Sequence, residues 1–170
     1  MRRRSIFLTG FMGVGKTTIG RILAESLNIE FIDLDEYITA KEKKEIKDIF
    51  LENGEAAFRG MEAEAAAEWT GRDAVVATGG GIIESPEAVK SMKEKGYVIY
   101  LQASFPILYE RIKGDKTRPL TAVGKEALEE RFTQRITLYE KADIVLNTEN
   151  KTPEQVVNDI KTSLADKRKT

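Results

Sequence analysis

The chain has no cysteine and no histidine. That excludes disulfides, thiolate nucleophiles, Cys/His zinc sites and any mechanism that needs an imidazole base. An acid or base must be Asp, Glu, Lys or Tyr, and a metal must sit on oxygen ligands, which suits hard Mg²⁺. Long hydrophobic runs are missing too. No apolar stretch approaches a membrane span, and the N-terminus lacks the apolar core of a secretory signal, so the expected compartment is the cytoplasm. Nor is there an excess of one charge: 27 basic and 28 acidic residues leave a net charge of −1. No overall field directs the chain to nucleic acid or to an anionic membrane surface. Arg2, Arg3 and Arg4 read as a solvated flank.

What is present is an ordinary globular balance of 41% apolar and 32% charged residues over 170 positions. This is enough for one domain, 1–170, with a sizeable core. Ile6-Phe7-Leu8, Phe31-Ile32, Ala74-Val75-Val76-Ala77, Val98-Ile99-Tyr100-Leu101 and Ile144-Val145-Leu146 read as five short buried strands. Between them lie helical patterns, with apolar faces at Ile19, Ile22, Leu23 and Leu27, at Phe58, Met61, Ala65 and Trp69, and at Val156, Val157, Ile160 and Leu164. Strands alternating with helices predict an α/β fold with a parallel sheet between helical layers and right-handed crossovers. The charge-rich run 41–47, followed by Ile46, Ile49 and Phe50 at helical spacing, predicts a peripheral helix or helical pair. The stretch 114–125, flanked by Gly114 and Gly124, reads as a mobile lid or as an ordinary surface connection.

Gly10-x-x-x-x-Gly15-Lys16-Thr17 is a complete phosphate-loop pattern, with Gly13 as a further glycine, placed between the first strand and an amphipathic helix. Glycines let backbone N–H groups converge on phosphate oxygens in a tight concave turn. Lys16 can reach the β- and γ-phosphates, the Thr17 hydroxyl can ligate Mg²⁺, and the helix dipole adds positive potential. Asp33-Leu34-Asp35 ends the second strand. Period-2 alternation would send both carboxylates to one side, at the sheet edge where ligands bind. One could help hold hydrated Mg²⁺ and the other could orient or deprotonate an attacking hydroxyl; alternatively both cap the next helix. Gly79-Gly80-Gly81 follows the third strand, either as a close-approach surface for a small ligand or as a turn. Arg59 with Glu62 one turn on, Arg118 in the candidate lid, and Arg135 on a helix expected over 125–141 offer guanidinium groups for carboxylate or phosphate.

Together these segments resemble the shikimate kinase family, which is similar in fold to the nucleoside monophosphate kinases. The resemblance rests on Gly10-Phe-Met-Gly-Val-Gly-Lys-Thr-Thr-Ile-Gly20, Phe31-Ile-Asp-Leu-Asp35, Ile46-x-x-Ile-Phe50, Gly54-Glu-x-x-Phe-Arg59-x-x-Glu62, Gly79-Gly-Gly81, Arg118-Pro-Leu120 and Arg135, in family order over nearly the whole chain. It implies a three-layer α/β/α P-loop NTPase fold with a five-stranded parallel sheet. It also implies transfer of the ATP γ-phosphoryl group to the 3-hydroxyl of shikimate by a cytoplasmic monomer that binds neither nucleic acid nor membrane. Gly13, Val14, Gly15, Lys16, Thr17 and Thr18 would hold ATP, with Arg111 and Pro153 near the adenine. Thr17 and, through water, Asp33 would hold one Mg²⁺. Asp35 would contact the reacting hydroxyl as the candidate base, Lys16 would act on the phosphates, and Arg118 would also bind ATP and neutralise charge on the transferred group. Phe50, Phe58, Arg59, Gly79, Gly80, Gly81 and Arg135 would join Asp35 around shikimate, within a substrate-binding helical region of about 35–62 and beyond it. The rival readings are a small P-loop kinase acting on gluconate, on a similar hydroxy acid or on a nucleoside monophosphate, and a non-catalytic sensor of ATP or a metabolite.

Overall fold

The apolar runs become five strands, β1 (Ser5–Thr9), β2 (Glu30–Asp33), β3 (Ala74–Ala77), β4 (Gly96–Gln102) and β5 (Ile144–Asn147), in a computed structural model that describes residues 4–115 and 123–170. All pair in parallel in the order β2-β3-β1-β4-β5. The candidate lid residue Arg118, the rest of 116–122, and Arg2 and Arg3 lie outside the described residues. Arg4 is not simply solvated: its guanidinium pairs with Asp73.

Seven α-helices flank the sheet among the described residues, six between strands and the last after β5: α1 (Lys16–Leu27), α2 (Leu34–Glu42), α3 (Ile46–Trp69), α4 (Pro86–Lys95), α5 (Phe105–Ile112), α6 (Lys125–Tyr139) and α7 (Pro153–Lys169). The β1-to-β2 crossover runs one way along the sheet and the β3-to-β4 crossover runs the other. Right-handedness therefore puts α1, which packs on α7, on one face and α3 with α4 on the opposite face. This is the expected three-layer α/β/α arrangement. No described helix is long and apolar enough to cross a membrane.

Local chemistry sets the helix ends. Ser85 caps α4 ahead of Pro86, and Thr152 with Gln155 forms a reciprocal capping box ahead of Pro153. The charged run 41–47 splits into the end of α2, a left-handed turn at Lys43 (φ 56°), and the start of α3. Helix α3 absorbs both the peripheral helix and the Phe58–Trp69 pattern, breaking at Gly54 (φ 85°), where the backbone is not helical.

Two expectations need correction. The strands are not all buried: β1 and β3 are, but β2 is half-exposed and Val145 of β5 is 42% exposed, because the strand order leaves β2 and β5 at the sheet edges. Strand alternation also does not place Asp33 and Asp35. The strand stops at Asp33, and Leu34, fully buried, already begins α2.

Candidate active site

The phosphate loop follows β1 and needs its glycines. Gly10, Gly13 and Gly15 have φ of 146°, 85° and 105°, values that side chains with a Cβ rarely adopt. A Cβ on Gly10 would lie 2.7 Å from the Leu101 carbonyl oxygen, and one on Gly13 would lie 2.7 Å from Ile112 Cγ2. Val14 anchors the loop in the core. Lys16 Nζ donates to the carbonyl oxygens of Gly10 at 2.6 Å and Phe11 at 3.3 Å, which stretches the side chain back along the loop. A cavity of about 250 Å³ opens at the N-terminus of α1 between Gly13, Gly15, Lys16, Thr17, Thr18 and Arg111. Arg111 Nη1 donates to Gly13 O at 3.1 Å, tying the end of α5 to the loop. The converging N–H groups and helix dipole suit a polyphosphate.

Asp33 lies between two duties that the sequence presented as alternatives. Its Oδ1 accepts from the Glu36 N–H at 3.2 Å and caps α2, while Oδ2 accepts from Thr17 Oγ1 at 3.3 Å. A hydroxyl and a carboxylate this close form a hard oxygen donor pair beside the phosphate cavity. No group of three or more Asp, Glu, His or Cys residues suited to a metal occurs among the described residues. A divalent ion there would thus complete its shell with phosphate oxygens and water, the usual habit of Mg²⁺.

The glycine triplet after β3 meets the carboxylates and guanidinium groups from three helices. Its glycines serve for space, since none has a positive φ. A Cβ on Gly79 would lie 3.0 Å from Glu62 Oε2 and 3.2 Å from Asp35 Oδ1. On Gly80 it would lie 3.4 Å from Arg135 Nη1 and 3.5 Å from the Gly10 carbonyl oxygen, and on Gly81 only 2.3 Å from Arg59 Nη2. The strand ends beneath are pinned, because the Thr78 hydroxyl donates to Leu8 O at 2.9 Å and the Thr9 hydroxyl to Ile99 O at 3.1 Å. Phosphate loop and acidic-basic cluster therefore share one wall.

Within that cluster Arg59 pairs with Glu62, which is 1% exposed, and more loosely with Glu55 at 3.3 Å. Arg135, 4% exposed, donates to Glu84 at 3.3 Å. Tyr139, one turn after Arg135, donates its hydroxyl to Gly80 O at 2.6 Å and stacks on Tyr100 with ring centroids 4.8 Å apart. Glu62 Oε2 and Arg135 Nε have no hydrogen-bond partner among the described residues. Buried polar atoms left unpaired at one cleft wall are what a polar ligand would satisfy.

Burial dominates the titration here. It raises the Asp35 carboxyl above its ordinary value, helped by Asp33 and opposed by Lys16 and Arg59. Burial also pushes Glu62 up to about 7, with Arg59 too weak a counterweight. The buried Tyr139 phenol is likewise raised. A carboxyl that keeps its proton more readily than usual, close to a phosphate loop, is suited to proton exchange with a hydroxyl.

The structure thus brings together Asp35, Arg59, Gly79, Gly80, Gly81 and Arg135, and separately Gly13, Gly15, Lys16, Thr17, Thr18 and Arg111. Phe58 is buried beside Arg59, whose Cζ is 5.7 Å from the ring centroid; Phe50, 36% exposed, packs on Phe58 with centroids 4.9 Å apart. Pro153 opens α7 and is not among the residues lining the phosphate cavity. Sequence reasoning passed over Glu84 and Tyr139. Tyr139 was findable, since four residues after Arg135 on a helix is the same face.

A family model described as shikimate kinase matches residues 12–165. A shikimate kinase of Persephonella marina is 44% identical over 158 residues, covering 92% of this chain and 96% of that protein. The crystal structure of shikimate kinase from Aquifex aeolicus is similar with a TM-score of 0.83 at 38% identity, over 96% of this chain and 98% of that one. Shikimate kinase from Acinetobacter baumannii in complex with shikimate gives a TM-score of 0.90 at 35% identity, over 96% and 94%.

Proposed function

The chain belongs to the shikimate kinase family, and from that premise we propose that it transfers the γ-phosphoryl group of ATP to the 3-hydroxyl of shikimate, giving shikimate 3-phosphate and ADP. This is a step of aromatic amino-acid biosynthesis. One observation carries the reading. The wall Gly79–Gly81 adjoins the phosphate loop through Gly10 O and also packs against Asp35, Arg59 and Arg135, with Gly10 O and Arg135 meeting at Gly80. A donor site and a site for a small hydroxylated anion are side by side.

The residues divide the work accordingly. The loop N–H groups from Gly13 to Thr18 and Lys16 hold and neutralise the phosphates, with Arg111 at the cavity edge toward the base. Thr17, and Asp33 through water, would hold one Mg²⁺, which when bound neutralises phosphate charge. Arg59 and Arg135 grip the acid's carboxylate, and the bare backbone of Gly80 and Gly81 comes close to the ring, with Phe58 and Phe50 at its side. Asp35 accepts the proton as the hydroxyl oxygen bonds to the γ-phosphorus and the bond to the β–γ bridging oxygen breaks. Positioning and charge neutralisation supply most of the acceleration in such transfers. The role that the resemblance gives to Arg118, charge neutralisation on the transferred group, falls on a residue outside the described ones.

A coupled ADP-release assay over shikimate, gluconate and nucleoside monophosphates tests the reading. Turnover with shikimate well above the others is expected. Turnover with another acceptor alone, or ATP binding without any turnover, would replace it with one of the rival readings.

A further inference from the structure

Glu84 closes the short 3₁₀ turn Ile82–Glu84 that follows the glycine wall. Its Oε2 faces both guanidinium groups of the acceptor site, 3.3 Å from Arg135 Nη2 and 3.8 Å from Arg59 Nη2. One carboxylate oxygen between two guanidinium groups is what an acidic substrate would itself provide. We infer that Glu84 is an internal competitor for the substrate's carboxylate, occupying the Arg59/Arg135 pair until the acid arrives and so lowering affinity for it. The inference rests on the assignment of that pair to the substrate made above.

The alternative role, a fixed strut for the arginines, fits the geometry less well. Arg59 already has its strut: Glu62 is almost wholly buried on the next turn and holds the guanidinium in the closer contact. Glu84 makes the longer contacts and its side chain is 37% exposed, so water can solvate the carboxylate as it swings away. Arg135 Nε, buried and without a partner among the described residues, leaves a donor that Glu84 does not satisfy and a second oxygen could. The turn also follows Gly81 directly, so the competitor is attached to the surface on which the acid lands.

The full chain and its Glu84→Gln and Glu84→Ala variants, each saturated with ADP to occupy the phosphate loop, are titrated calorimetrically with shikimate and with cyclohexanecarboxylate. The latter offers a carboxylate and no hydroxyl. Both variants should bind both acids about two- to fivefold more tightly than the parent chain, the worth of a partly exposed ion pair. In turnover, KM for shikimate should fall while KM for ATP stays unchanged. Equal or weaker binding in both variants, with unchanged thermal melting, would make Glu84 a strut and overturn the inference. Failure of the parent chain to bind or turn over shikimate would refute the functional reading instead. The cyclohexanecarboxylate titration still decides on Glu84 in that case: tighter binding by the variants supports the competitor role, and equal or weaker binding overturns it.

Discussion

Arg59 occupies the space that a side chain on Gly81 would need: a Cβ there would lie 2.3 Å from Nη2 and 2.6 Å from Cζ. The guanidinium is not easily moved, since Glu62 holds its other nitrogen. Gly81→Ala should displace Arg59 from the wall and raise KM for shikimate about tenfold or more, the loss expected from a misplaced charged hydrogen bond. KM for ATP should stay within a factor of about two, because the phosphate loop is not touched. Steady-state kinetics with each substrate varied in turn checks this; a matching rise in both constants would count against the division of the site.

Asp35 is half-buried beside Gly79, and desolvation there raises its carboxyl. Asp35→Asn keeps the shape but cannot accept a proton. Its kcat should drop by about 10²–10⁴, the usual contribution of a general base, with ATP affinity nearly unchanged. Equal losses in turnover and ATP affinity would show that Asp35 supports the loop rather than the chemistry.

Glu62 carries a stability signature. Its pKa in the folded chain is about 7 against an ordinary 4.5, raised by burial and by Asp35 and lowered by Arg59 and Arg135. The folded chain therefore holds this proton more tightly than the unfolded one. The group's contribution to stability is full below about pH 4.5 and is lost as pH rises through about 7. Glu62→Gln removes the titration, so its unfolding free energy should fall less than that of the parent chain over this range, by on the order of 2–3 kcal/mol. Urea denaturation at a series of pH values measures it, and parallel curves for the two proteins would refute it.

Tyr139 donates to Gly80 O at 2.6 Å, so Tyr139→Phe strips a half-buried carbonyl of its donor while keeping the ring that stacks on Tyr100. The wall should loosen by about 1–2 kcal/mol. KM for shikimate should rise about three- to tenfold with little change in kcat. Tyr100→Phe, which leaves that hydrogen bond in place, serves as the control. If both variants behave alike, the hydrogen bond from Tyr139 to Gly80 is not what sets KM.

What could be read in advance follows the range of the interactions. The phosphate loop was legible because its function is written in eight consecutive residues whose dihedrals are local, although the clashes that also demand Gly10 and Gly13 come from distant Leu101 and Ile112. The strands were legible for the same reason, but their burial was not, since being an edge strand depends on the order in which distant segments pair. Asp33 and Asp35 were singled out on a mistaken geometry: the buried Leu34 starts a helix one residue earlier than alternation supposes, and a helical first turn delivers Asp35 instead. Glu84 stayed hidden because its meaning lies in a contact with Arg135 across 51 residues, and while helix spacing puts Tyr139 on the face of Arg135, it says nothing of the contact with Gly80 across 59 residues. No periodicity reports a contact of that kind.

Strand β3 sits between β1 and β2, so the first two strands to be synthesised never pair with each other. Until Ala74–Ala77 has been made, both keep an unpaired edge where that strand belongs, and the phosphate loop and Asp35 have no common support. The third strand brings the glycine wall with it as it enters. Donor and acceptor sites therefore gain their common wall with the third strand, and a chain that stops before it has nothing to hold the two in register.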